Sequence, residues 1–187
     1  MSRFEVTATP LSGVMRVRRL PLRDERGSLT RMFCARELAA AGWDDPVEQV
    51  NLTQTRARGT VRGLHWQRPP HAEVKLVSCL RGEIWDVAVD LRRGSPTFLR
   101  WHAEILSGEN DAALLIPRGV AHGFQALSDD VEMLYCHSAP HVPEAEAGFR
   151  PLDPRLAIAW PLQPITLMSP RDAAHPPIAD GWQGVDA

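Results

Sequence analysis

From Gly59 to Ser138, short runs of β-branched and aromatic residues alternate with clusters of turn formers, and nothing constrains this chain's fold more. The runs are GTVRGLHWQ (59–67), EVKLVSCL (73–80), GEIWDVAVDL (82–91), RWHAEILS (100–107), ALLIP (113–117), HGFQAL (122–127) and VEMLYCHS (131–138). Arg-Gly at 81–82, Arg-Gly-Ser-Pro at 93–96, Gly-Glu-Asn-Asp at 108–111 and Ser-Asp-Asp at 128–130 separate them. Strands this short, recurring every ~10 residues, imply an all-β sandwich or barrel. Helical periodicity is scarce. The one good helix candidate is RELAAAGW (36–43), closed by Gly42, a residue suited to the left-handed turn after a helix. Beyond Pro151, repeated prolines up to Pro177 predict an irregular C-terminal tail wrapping the barrel. The organisation expected is one domain over 1–187, with its core at about 24–150 and the tail at 151–187.

At 187 residues the chain can bury a substantial core. Its net charge of −2 offers no basic excess, so neither nucleic acid nor a membrane surface is an expected partner. No apolar window approaches the ~18 residues of a membrane span. The segment MSRFEVTATP lacks the basic-then-apolar order of a signal peptide, so a cytoplasmic protein is expected. Three cysteines, Cys34, Cys79 and Cys136, lack C-x-x-C spacing. They suit a reducing compartment and argue against a disulfide framework or a structural zinc site.

Of 21 basic residues only Lys75 is a lysine, and it sits inside the apolar run EVKLVSCL. Strand alternation places Lys75, Val77 and Cys79 on one face and Val74, Leu76 and Ser78 on the other. Both faces are mostly apolar, so the strand is expected to be buried on both sides. An ammonium there must be paired or must give up its charge, and arginine cannot do the latter. His65 lies mid-run in RGLHWQ, Tyr135 is the only tyrosine, and His122 follows a Pro-Arg-Gly turn. A histidine, a lysine and a phenol pointing into one barrel make an acid–base set: one accepts a proton, one stabilises an oxyanion, one returns a proton. His65, His71, Glu73 and His122 could together hold a metal. Metal-binding barrels usually present H-x-H on one strand, whereas the position after Trp66 here is Gln67. No metal is expected.

In order along the chain stand Arg62-Gly63-Leu64-His65-x-Gln67, Lys75-Leu76-Val77, Gly82-Glu83-Ile84-x-Asp86-Val87-Ala88-Val89-Asp90-Leu91-Arg92 and Gly94-Ser95-Pro96-Thr97. Ile116-Pro117-x-Gly119-x-Ala121-His122-Gly123-Phe124 and Leu134-Tyr135 follow. From about Asp24 to Asp172 this series resembles the dTDP-4-dehydrorhamnose 3,5-epimerase family. The resemblance implies a cupin-type β jelly roll, a homodimer, no cofactor and no metal. It also implies epimerisation of a nucleotide-linked 4-keto-6-deoxyhexose at C3 and C5. His65 would be the base, Asp172 its carboxylate partner, Lys75 the donor to the enolate oxygen, and Tyr135 the acid on the opposite face. Arg62 and His122 match positions handling the pyrophosphate and the sugar. Arg26, Gln49, Val50, Asn51 and Glu146 match positions lining the nucleotide, and Arg171 is the basic residue before the dyad aspartate. Arg62 and His65 are three apart, so Gly63 is expected to mark a bulge that brings both to one face.

The chain departs from the family's D-x-R-G-x-F-x-E pattern in Asp24-Glu25-Arg26-Gly27-Ser28-Leu29-Thr30-Arg31. Leu29 replaces an aromatic and Arg31 an acid, while His141 aligns with a tyrosine that stacks on the thymine. Retained chemistry with altered nucleotide recognition is expected. The alternatives are a C3-only epimerase, an epimerase acting on a non-thymidine nucleotide sugar, a sugar 3,4-ketoisomerase, a non-catalytic sugar-nucleotide binder and a metal-dependent cupin oxygenase. The presence of both Lys75 and Asp172 favours the epimerase.

Overall fold

The computed structural model describes residues 2–186. The first third of the chain forms β1 (Phe4–Ala8), β2 (Met15–Arg19), β3 (Leu22–Asp24), β4 (Gly27–Leu29), α1 (Ala35–Leu38) and β5 (Gln49–Thr55). A 3₁₀ turn at Ala39–Ala41 continues α1, and Gly42 closes it at φ 106°, so the expected helix is present but short. The seven expected runs become β6 (Thr60–Gln67), β7 (Lys75–Arg81), β8 (Glu83–Asp90), β9 (Trp101–Ser107), β10 (Ala112–Ile116), β11 (Val120–Ala126) and β12 (Val131–His137). Then come β13 (Glu146–Gly148), β14 (Leu167–Met168) and α2 (Pro170–Ala174).

Two antiparallel sheets pack as a sandwich. One has the order β1-β2-β10-β7-β12-β5; the other has the order β13-β6-β11-β8-β9, with β14 added parallel to β6. Period-two alternation lets each central strand feed two cores. Val77 and Cys79 of β7, Ile84 and Ala88 of β8, Phe124 of β11 and Met133 of β12 meet between the sheets. The other face of β7 places Leu76 against Phe4, Leu38 and Trp43. The other face of β8 places Val87 and Val89 against Leu156, Trp160 and Ile178 of the tail. Each such aliphatic side chain contributes roughly 1.5–3 kcal/mol on full burial. Lys75 through Cys79 are all buried, as the doubly apolar pattern of EVKLVSCL requires.

Two boundaries differ from expectation. The core does not begin near residue 24, because β1 and β2 extend the sheet that holds β7 and Val17 pairs with Ala113 of β10. Arginines at 16, 18 and 19 mask the inward-facing Val17 in the sequence. The tail is not wholly irregular either. Leu167 and Met168 pair with Thr60 and Val61, and Ser169 caps α2 by accepting the Asp172 amide at 3.0 Å, with Pro170 in the first turn.

Candidate active site

A cavity of about 740 Å³ opens between the sheets. β6 and β11 form one wall, β5, β7 and β12 the other, and the tail from Leu167 to Asp172 covers one rim.

His65 and Arg62 reach this cavity together because β6 carries one extra residue against β11. His122 pairs with His65 while Phe124 pairs with Arg62. Gly63 absorbs the irregularity at φ 128°, and a Cβ there would lie 2.6 Å from the Gly123 Cα. Only glycine suits that position. His65 Nε2 lies 2.8 Å from Asp172 Oδ1, and the other carboxylate oxygen accepts the Gly63 amide at 3.2 Å. Burial raises the Asp172 carboxyl, but hydrogen bonds from His65 and Gly63 outweigh it and hold the group below its ordinary range. An ionised Asp172 accepts the Nε2 proton, which leaves the Nδ1 lone pair as the ring's basic position.

Lys75 is paired: its Nζ lies 2.8 Å from Glu73 Oε1, and both side chains are nearly inaccessible. Glu73 also accepts from Gln67 Nε2. Gln67 further donates to the His71 and Pro140 carbonyls and accepts the Val142 amide at 2.6 Å. A glutamine at this position ties two loop segments together, 68–74 and 138–145, by both donating and accepting. His122 Nε2 sits 2.6 Å from Oδ1 of fully buried Asp86.

Tyr135 stands on the opposite sheet from His65. Its ring meets His122 edge-on at 5.9 Å and stacks on His137 at 6.0 Å. Burial pushes the phenol well above its usual range, so it carries its proton at any neutral pH. His137 lines the same cavity and is pushed down to about 4 by burial and then by the Lys75 charge. It was missed in the sequence, although alternation in VEMLYCHS places it beside Tyr135. Glu73 and Asp86 were missed as partners of Lys75 and His122.

The cavity mouth is polar. Arg171 Nη1 pairs with Glu146 Oε1 at 2.9 Å, and His141 Nε2 lies 3.0 Å from Glu146 Oε2. Burial raises the Glu146 carboxyl, but His141 and Arg171 bring it below its ordinary range. Gln49 accepts the His141 amide at 2.9 Å, and Asn51 lines the wall beside it. Arg62 is anchored to β5 through Thr55 Oγ1 at 3.0 Å and the Gln54 carbonyl at 2.9 Å.

Three expected nucleotide contacts are not in this cavity. Val50 alternates away from Gln49 and Asn51 and is 56 % exposed on the outer face. Arg26 lies on the β3–β4 hairpin, paired with Asp24 at 2.6 Å, and Arg31 pairs with Glu37 of α1. The histidine set weighed for a metal does not converge, since His71 stays exposed in its loop. A different trio, His65, Asp172 and His175, does bring its ligand atoms within 4.8 Å of one another. Among the described residues, no helix is long and apolar enough to cross a membrane.

The family model described as dTDP-4-dehydrorhamnose 3,5-epimerase matches residues 8–180. The chain is 44% identical over 158 residues to a dTDP-4-dehydrorhamnose 3,5-epimerase of Pseudomonas aeruginosa, covering 84% of this chain and 86% of that one. It is similar to the crystal structure of a Legionella pneumophila dTDP-6-deoxy-D-glucose-3,5-epimerase in complex with dTDP-4-keto-L-rhamnose. The TM-score there is 0.86 at 40% identity, over 92% and 91% of the two chains. It is also similar to a 3'-monoepimerase of Streptomyces bikiniensis in complex with dTDP-quinovose, with a TM-score of 0.84 at 35% identity, over 90% and 85%.

Proposed function

The chain belongs to the dTDP-4-dehydrorhamnose 3,5-epimerase family, with its cupin-type jelly roll, and from that premise we propose how its own residues invert a dTDP-linked 4-keto-6-deoxyhexose. The observation that carries the reading is the placement of base and acid on facing sheets, His65 on β6, backed by Asp172 of α2, and Tyr135 on β12. His65 Nδ1 removes a proton from a carbon beside the ketone, and the buried Asp172 carboxylate stabilises the imidazolium that forms. Charge moves onto the ketone oxygen as the enolate develops. Lys75 meets it there, held in place by the Glu73 carboxylate. Tyr135, protonated because it is buried, gives its proton to the opposite face, and the centre inverts.

C3 and C5 both flank the ketone, and relatives of this chain include 3,5-epimerases and 3-epimerases. Turnover in deuterated water tests the reading: label at both carbons is expected. Label at C3 alone would make this a 3-epimerase, and no label would overturn an epimerase altogether. For the nucleotide, Gln49, Asn51, His141, Glu146 and Arg171 form the binding end. Titration with dTDP-, UDP-, GDP- and CDP-linked sugars reads its preference. A strong preference for the thymidine form would show that Leu29, Arg31 and His141 do not change base recognition.

A homodimer is part of the same reading. β5 is an edge strand, and it exposes Val50 and Leu52, each at 56 %, a surface that a second copy would cover. Light scattering on a sizing column checks this. Three unpaired cysteines support a cytoplasmic setting, and one cooperative unfolding transition would support a single domain over 1–187.

A further inference from the structure

His175 takes no part in the chemistry above, yet it is held against the catalytic pair. It immediately follows α2, and its Nε2 lies 4.0 Å from Asp172 Oδ1, the oxygen that also faces His65. Its ring meets the His65 ring edge-on at 5.7 Å. The His175 Nε2 atom is buried and has no hydrogen-bond partner among the described residues. An imidazole nitrogen in that state is costly unless something occupies it.

Gly148 explains why the ring can sit there. It pairs with His65 across β13 and β6, and a Cβ built on it would fall within 2.5 Å of Nε2, Cε1 and Cδ2 of His175 alike. Near-equal closeness to three ring atoms means the ring presents its face to Gly148. The in-plane lone pair of Nε2 is therefore not blocked by that backbone. Two imidazoles and one carboxylate, with ligand atoms all within 4.8 Å of one another, form the donor set that divalent transition metals favour.

We propose that His65, Asp172 and His175 form a site for a divalent transition-metal ion of the zinc class, and that filling it switches off the base. An ion bound at His65 Nε2 displaces the ring proton to Nδ1, so the imidazole stays neutral and loses the lone pair that attacks the sugar. Inhibition then follows from tautomer exchange, without blocking the nucleotide end. Arg171, with Nη2 3.5 Å from His65 Nε2, competes with the ion. It pairs with Glu146 from that same position and also lies 3.7 Å from Asp172 Oδ1, so it must move for the ion to enter, and the affinity falls below that of a dedicated structural site. Hard ions such as Mg²⁺, which prefer oxygen ligands, leave the site empty.

The consequence for turnover rests on the epimerase reading; the binding itself does not. The test is titration of chelator-treated protein with Co²⁺, followed by its visible absorption, with displacement by Zn²⁺ and a parallel measure of solvent deuterium incorporation. Wild type should bind one Co²⁺ per chain, lose exchange activity as Zn²⁺ is added and regain it with chelator. His175→Ala should keep metal-free exchange while losing metal affinity by more than the ~10–100-fold typical of a lost outer-shell partner. Gly148→Ala, which expels the ring while keeping the histidine, should lose binding similarly. Absence of saturable Co²⁺ binding in wild type, or unchanged binding in both variants, overturns the site. Absence of exchange in the metal-free protein would count against the epimerase reading and leave the Co²⁺ spectrum interpretable.

Discussion

The inner end and the mouth of the cavity use the same residue types and hold them in opposite ways. Inside, three basic side chains face carboxylates that water scarcely reaches: His65 with Asp172, Lys75 with Glu73, His122 with Asp86. At the mouth, His141 and Arg171 share Glu146 while remaining 50% and 59% exposed. Breaking a buried pair strands a charge and costs about 3–5 kcal/mol, whereas an exposed pair is worth about 0–1 kcal/mol. The inner geometry is therefore fixed before substrate arrives, and the mouth can be rebuilt at little cost. The difference teaches where substitution is cheap: at the mouth, where Glu146 holds two half-exposed partners, and not inside.

The hardest blow to that contrast would come from His65→Asn, which keeps a polar group of similar size and removes the base. Turnover should fall by ~10²–10⁴, read as loss of deuterium incorporation from solvent. Lys75→Arg comes next, with a loss of ~10²–10³, because a planar guanidinium cannot replace the ammonium against Glu73. If the arginine variant kept near-normal turnover, the enolate role would be wrong. At the mouth, Glu146→Gln should raise KM by less than about fivefold with kcat unchanged, the size expected of a half-exposed pair. A large fall in kcat instead would show that the two ends are coupled.

The subtlest test concerns stability. His137 titrates near 4 in the fold and at its ordinary value of 6.5 when unfolded. Between those values the unfolded chain binds the extra proton, so stability is full above about pH 6.5 and declines toward pH 4. Denaturant melts of His137→Gln against wild type should show a shallower decline, by on the order of 2 kcal/mol at pH 4. Parallel curves would mean that the histidine is not held neutral by its surroundings.

The contrast also explains what could be read in advance. Period two and compositional rarity exposed Lys75 and Tyr135, because burial limits which residues a strand can hold. The bulge at Gly63 was legible from the conflict between Arg62 and His65. Glu73 and Asp86 were not, since Glu73 lies in the loop before β7 and Asp86, though mid-strand in β8, carries no sign of the strand its partner comes from. Asp172 was reached only through the order of family motifs, and His175 by nothing, because α2 lies in a proline-rich tail without strand alternation. At the mouth, motif order placed Val50 with Gln49 and Asn51, where alternation on β5 turns it outward. Arg26 and Arg31 lie on exposed surface, where no periodic constraint shows which way a residue faces.

The pairing of His65 with Asp172 spans 107 positions in the chain. Synthesis runs from the N-terminus, so every strand through β13 leaves the ribosome before the carboxylate that orients the base exists. Until α2 docks, no carboxylate holds the His65 ring to one tautomer. Chemistry begins when α2 docks. Asp172 is thus the last of the four catalytic groups to be synthesised, after His65, Lys75 and Tyr135.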